Sequence, residues 1–120
     1  MYQVSVESHF DAAHFLREYN GKCENLHGHR FGVVATLETE KLDETGLAYD
    51  FVKLKKHLND VLSSYDHACI NDVAPFDIIN PSSENMAKTI YDRLAVKLQG
   101  VRLTRVEIWE SPVTHVTYSP

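Results

Sequence analysis

No stretch of the chain approaches the roughly 20 consecutive apolar residues that span a bilayer, so no membrane-crossing helix is expected. Cysteine is scarce. The 2 present, Cys23 and Cys69, are too few for a disulfide-built scaffold. Residues Met1 to Glu7 lack the basic and then apolar blocks of an export signal. A single disulfide would use both cysteines, but without that signal the expectation is two reduced thiols in the cytoplasm. Glycine and proline are also few, 5 and 4. No Gly/Pro/Ser-rich linker, low-complexity tract or repeat divides the chain, which is expected to fold as one domain over 1–120. Positive charge is the minority. Lys and Arg number 12 against 17 Asp and Glu, for a net charge of -5. Nucleic acid and anionic membranes attract basic patches, so neither is an expected partner.

The 43% hydrophobic and 24% charged residues are those of an ordinary globular core and surface. Tyr2, Val4 and Val6 alternate with polar residues, a strand pattern that runs on to His14. Residues 15–26, with Asn20-Gly21, read as a loop. Phe31, Val33, Ala35 and Leu37 alternate again over about 29–39, and 40–46 is polar and turn-like. Asp50 opens a helix whose stripe is Phe51, Leu54, Leu58, Val61 and Tyr65. After an irregular 66–80, Pro81-Ser82-Ser83-Glu84 supplies a helix start with a Ser cap and an acidic first turn. Met86, Ile90, Leu94 and Leu98 carry this helix toward Gly100. Strands follow over 101–110 and 113–118. The ββααββ order predicts an α+β domain with one antiparallel sheet covered by helices on one face. Its edges and open face invite self-association.

Of the 7 histidines, three stand out by position. His27-Gly28-His29 opens the second strand, where residues i and i+2 share a face. Gly28 leaves room between the two imidazoles. His14 ends the first strand, and antiparallel pairing sets that end beside the start of the second. An HxH pair alone is more often an ordinary surface or core feature; the third imidazole at the matching strand end is what predicts a metal site. Three neutral imidazoles with one open position suit catalytic zinc, although copper, iron and nickel accept the same donors. His9, His57 and His115 lack such partners, and Cys69 reads as a core residue.

Five blocks, in order, resemble the 6-pyruvoyl-tetrahydropterin synthase family. They are Phe10-Asp11-Ala12-Ala13-His14, Cys23-Glu24-Asn25-Leu26-His27-Gly28-His29, Asp66-His67, Pro81-Ser82-Ser83-Glu84-Asn85 and Trp109-Glu110-Ser111. A cysteine four residues before HGH is similar to the bacterial branch that makes 6-carboxy-5,6,7,8-tetrahydropterin. The resemblance implies a tunnelling fold whose sheets join into a barrel in a homo-oligomer, a trimer or hexamer with active sites at subunit interfaces. It implies an enzyme, a zinc-dependent lyase acting on 7,8-dihydroneopterin triphosphate. Acetaldehyde and triphosphate would be released on the route to queuosine and other 7-deazaguanines. Zn²⁺ would be held by His14, His27 and His29.

The family's other roles carry over to matching positions. Cys23 matches the catalytic thiol, whose pKa a nearby Zn²⁺ or imidazolium would lower. Asp66 and His67 match an acid–base pair lent by a neighbouring subunit. Glu110 matches the carboxylate that anchors the pterin by accepting from its amino group and ring N–H. Glu107, three positions away, faces the other side of the strand. Ser82 and Ser83 stand where the family often has pterin-contacting threonines, and Glu84 lies in the same block. Arg17, Lys22 and Arg30 are candidate triphosphate partners with nothing to choose among them. Glu24 is a departure. It also satisfies a glutamate-three-before-HGH spacing, seen in relatives that cleave the side chain to 6-hydroxymethyl-7,8-dihydropterin for folate synthesis. Glu24 is therefore an alternative base. Relatives that form 6-pyruvoyl-tetrahydropterin carry the cysteine one residue farther from HGH, which makes that product a weaker alternative.

Overall fold

The computed structural model describes residues 1–120. Strands β1 (Tyr2–His14), β2 (His27–Thr39), β3 (Arg102–Ser111) and β4 (Thr114–Tyr118) form one antiparallel sheet in the order β1-β2-β3-β4. Helices α1 (Phe51–Leu62) and α2 (Ser83–Ala95) lie between β2 and β3 in the chain. Two short 3-10 turns, Lys22–Glu24 and Ile70–Asp72, precede β2 and α2 respectively.

The period-two pattern sends Phe10, Ala12, Phe31, Val33, Ala35, Leu37, Val106 and Ile108 to one buried face. Leu54, Leu58 and Val61 of α1 and Met86, Ile90 and Leu94 of α2 cover that face. Both helices begin at side-chain caps. The Asp50 carboxylate accepts from the Val52 amide at 2.8 Å, and the Ser82 hydroxyl from the Asn85 amide at 3.2 Å. Phe10 stacks on Phe31 at the middle of the core, with ring centroids 5.0 Å apart.

Several elements depart from the sequence reading. Phe51, the first residue of α1, is 60% exposed although its spacing continues the stripe. Tyr65 is fully buried but lies beyond the helix, in the turn that follows it. α2 stops at Ala95, short of Gly100. Tighter turns carry Leu98 into the core, and Gly100 takes φ +76 where the chain enters β3. β2 starts at His27, two residues earlier than expected, because it pairs with β1 through to the His14–His27 register. Cys69 is half-buried instead of a core residue. It belongs to a segment that follows α1 along the outer edge of β1. There the His67 amide donates to the Asp11 carbonyl at 2.6 Å, and the Ala13 amide to the Ala68 carbonyl at 3.0 Å.

Candidate metal centre and active site

The register pairs His14 with His27 and Ala12 with His29, so the three imidazoles project together from the helix-covered face. Their ring centroids lie 4.6 Å apart for His14–His27, 4.8 Å for His27–His29 and 5.3 Å for His14–His29. The edge of Phe31 packs against both His14 and His29, so the cluster is the polar end of the core.

Tautomers follow from the second ring nitrogens. His14 Nδ1 lies 2.9 Å from the Pro81 carbonyl, and His27 Nδ1 lies 2.6 Å from the Asn25 carbonyl. A carbonyl can only accept, so each Nδ1 carries the proton and each Nε2 keeps a free lone pair. Burial, the largest influence, holds His14 below its ordinary value of 6.5, which favours the neutral imidazole a metal needs. Buried Nε2 atoms of His14 and His29 have no hydrogen-bond partner. Apart from one carboxylate, Glu110, nothing polar faces these two nitrogens, and a divalent ion set among them and the third imidazole would satisfy them; the donor set suits zinc.

A carboxylate joins the group. Glu110 follows Val106 and Ile108 on the buried face of β3, and its Oε1 lies 2.9 Å from His29 Nε2 and 3.7 Å from His14 Nε2. The Ser83 hydroxyl, in the first turn of α2, donates to Glu110 Oε2 at 3.0 Å. Ser83 is buried and turned to the carboxylate, while its neighbour Ser82 caps the helix. Glu84 is exposed on the outer side of the same turn, and Glu107 pairs with Arg105 at 3.6 Å. An open cleft of ≈ 780 Å³ reaches His29 and Glu110 and takes in Arg30, Trp109 and Ser111.

Cys23 is half-buried in the turn before β2, with Glu24 exposed beside it. Its thiol is not part of the histidine–glutamate group. Asp66 and His67 lie elsewhere, on the outer edge of β1. His67 Nδ1 is 3.1 Å from Asp66 Oδ2, and the other carboxylate oxygen accepts from the Asp11 amide at 3.1 Å. That amide first, and then His67, hold Asp66 below the usual carboxylate value of 3.8. His67 takes φ 58, the left-handed region, where its amide reaches the Asp11 carbonyl. Asp66 and His67 group with the Asp11 carboxylate, which faces away from the histidine cluster and is paired with Arg30. Within one chain, then, the Asp66–His67 pair and the histidine cluster are two separate groups. Asp11 was not singled out from sequence because its contacts to Asp66 and His67 run through its backbone amide and carbonyl, which leave no mark on residue type.

The triphosphate candidates separate in the same way. Arg17 donates to the Ile79 and Phe76 carbonyls at 3.1 and 2.9 Å, and Arg30 is engaged with Asp11. Lys22 is exposed at the turn that carries Cys23.

The architecture is thus a four-stranded antiparallel sheet with two helices on one face and a candidate metal centre at one end. The chain belongs to the 6-pyruvoyl tetrahydropterin synthase family, whose profile matches residues 3–120. It is 32% identical to 6-carboxy-5,6,7,8-tetrahydropterin synthase of Bacillus subtilis, covering 99% of this chain and 86% of that protein. It is 35% identical to dihydroneopterin monophosphate aldolase of Pyrococcus furiosus, covering 90% and 89% respectively. The structure of 6-pyruvoyl tetrahydropterin synthase from Caenorhabditis elegans superposes with a TM-score of 0.86 at 31% identity, covering 100% of this chain and 97% of that one. The fold is the tunnelling fold of these proteins. No helix is long and apolar enough to cross a membrane.

Proposed function

We propose that this chain, as one tunnelling-fold domain, is a zinc-dependent lyase. It converts 7,8-dihydroneopterin triphosphate and water to 6-carboxy-5,6,7,8-tetrahydropterin, acetaldehyde and triphosphate. The carrying observation is the convergence of three imidazoles with Glu110, two of them, His14 and His27, with Nδ1 protons spent on carbonyls so that Nε2 is left to face the cluster. His14, His27 and His29 would hold the ion. When bound, it would polarise the side-chain oxygens of the substrate and lower their pKa.

The chain's own groups then divide the work. Glu110, fixed by Ser83, accepts the amino and ring N–H of the pterin and so orients the ring. Ser82 and Glu84, at the same helix start, border that ring. Cys23 takes a proton from the side chain as general base. Asp66 orients His67, which moves a second proton. Because Asp66 and His67 stand apart from the histidine cluster of their own chain, they serve the site of a neighbouring copy in a trimer or hexamer. Lys22 is the free cation nearest in sequence to Cys23 and contributes to triphosphate binding. The product would feed 7-deazaguanine (queuosine) synthesis in the cytoplasm.

One second reading has its own support. The similarity to an aldolase at 35% identity, with Glu24 directly after Cys23, favours side-chain cleavage to 6-hydroxymethyl-7,8-dihydropterin with Glu24 as base. Formation of 6-pyruvoyl-tetrahydropterin remains a third outcome. The test is incubation of zinc-replete protein with 7,8-dihydroneopterin triphosphate and mass spectrometry of the products. The lyase reading expects carboxytetrahydropterin and acetaldehyde. Hydroxymethyldihydropterin alone would replace it with the aldolase reading, and unchanged substrate would reject both.

A further inference from the structure

We propose that Asn71 and Asn80 are positioning residues that set the place of Cys23 through the backbone of Leu16. β1 ends at His14, and the chain must then leave the sheet, turn and return as β2. Of the three residues that leave, the first and third are held by side chains. The Phe15 amide donates to Asn71 Oδ1 at 3.0 Å, and Asn71 Nδ2 donates back to the Phe15 carbonyl at 3.0 Å. Asn80 repeats the arrangement on Arg17, at 2.8 Å from the Arg17 amide and 3.0 Å to the Arg17 carbonyl. A carboxamide carries one acceptor and one donor group, as a peptide unit does, so each asparagine replaces a strand partner for one residue.

Neighbouring residues of an extended chain turn their backbone groups in opposite directions. With Phe15 and Arg17 clamped on one side, the Leu16 amide faces the other, where it donates to the Cys23 carbonyl at 2.7 Å. That is a direct link from the clamped segment to the residue bearing the thiol. Both asparagines are themselves held. Asn71 is 4% exposed within the Ile70–Asp72 turn, and the Asn80 carbonyl accepts from Asn85 Nδ2 of α2 at 2.9 Å. Position is therefore passed from the start of α2 to Cys23 without any side-chain contact to the thiol. The role assigned to Cys23 itself rests on the reading under Proposed function.

The test uses the zinc-loaded, full-length Asn80→Ala protein, with Asn71→Asp as a shape-conserving change at the more buried clamp. Misplacement of a reacting group by about 1 Å costs on the order of 100-fold, so kcat for the pterin triphosphate should fall about 10- to 100-fold. KM should stay within about threefold, because the ring-binding groups are untouched. Hydrogen exchange of a peptide spanning residues 15–24 should accelerate at least about tenfold, with α1 unchanged, as expected of a local opening. Asn80→Asp should recover part of kcat, since it keeps the acceptor for the Arg17 amide. Unchanged exchange over 15–24, or kcat within about twofold of the native value, would overturn the proposal. So would zinc loss or faster exchange throughout, which would make the asparagines folding residues only. Exchange does not depend on turnover. A fully active Cys23→Ala protein would remove the base assignment and leave the exchange result standing.

Discussion

Replacing Glu110 by glutamine keeps the shape of the side chain and removes its charge. The effect distinguishes two jobs that the geometry offers this carboxylate. One oxygen lies 2.9 Å from His29 Nε2, within reach of a metal, and the other accepts from Ser83 at 3.0 Å. As the pterin anchor, Glu110 accepts two hydrogen bonds from the ring. Hydrogen bonds to a charged group contribute about 1.5–3 kcal/mol each. Glutamine keeps one acceptor, loses the charge and turns an N–H toward another N–H. Since the side chain is 30% exposed, water offsets part of the loss. The net penalty is then about 2–4 kcal/mol, or a rise in KM of about 30- to 700-fold. The ring is bound alike in ground and transition states, so kcat should change less than about fivefold. Steady-state kinetics and elemental analysis of one preparation provide the assay. An unchanged KM would refute the anchor role. Loss of zinc from the glutamine variant would instead make Glu110 a metal ligand.

Cys23→Ala should abolish formation of carboxytetrahydropterin while zinc stays bound, and full activity would refute the thiol as base. Comparing its products with those of Glu24→Ala by mass spectrometry assigns each product to its base; hydroxymethyldihydropterin formed without Glu24 would end the aldolase alternative. Cys23→Ala and His67→Ala chains, dissociated together and reassembled, should regain up to about one quarter of native turnover, because random pairing reunites both intact groups in one site in four. No recovery would show that the pair acts within its own chain. Asp66 is held below 3.8, so its contribution to stability is present above the unfolded value and is lost as pH falls through the folded one. Thermal melts of Asp66→Asn should therefore decline less between about pH 4 and pH 2 than those of the native chain, and equal declines would count against the Asp11–Asp66 bond.

The sheet was legible because its two faces differ. Alternation at Phe31, Val33, Ala35 and Leu37 is a one-dimensional signal, and all four are buried. The convergence of His14 with His27 and His29 followed from the same alternation plus antiparallel pairing, and the register puts His14 opposite His27. Helix ends were less legible. Leu98 continues the α2 spacing and is buried, yet it reaches the core through a turn, since packing needs only its side chain in place. The polar supports could not be read at all. Asn71 and Asn80 stand in a segment whose composition signals only turns, and what they hold depends on partners more than 50 residues away, |i−j| = 56 and 63. Ser82 and Ser83 illustrate the same limit. Either hydroxyl could cap α2, and the tertiary placement of β3 decides that one caps and the other turns to Glu110.

Those serines belong to a run of four residues in which every member supports a different part of the site. Asn80 clamps Arg17, the Pro81 carbonyl holds His14 Nδ1, Ser82 caps α2 and Ser83 holds Glu110. Proline suits its place because it has no amide to satisfy just before the helix, and its carbonyl stays free for the imidazole. The cap matters beyond local helix stability. It fixes the direction of the first turn of α2, and through that turn the spacing between His14 and Glu110, which come from strands not adjacent in the sheet. A single rigid helix start can therefore align groups on β1 and β3 that the sheet alone leaves separated by β2. Ser82→Ala removes the bond to the Asn85 amide and should cost about 1 kcal/mol of stability. If the helix start is the alignment device, KM should rise by more than a stability change of that size explains, because the folded protein would hold Glu110 less firmly. An unchanged KM in a destabilised Ser82→Ala protein would show that β3 holds Glu110 without help from α2.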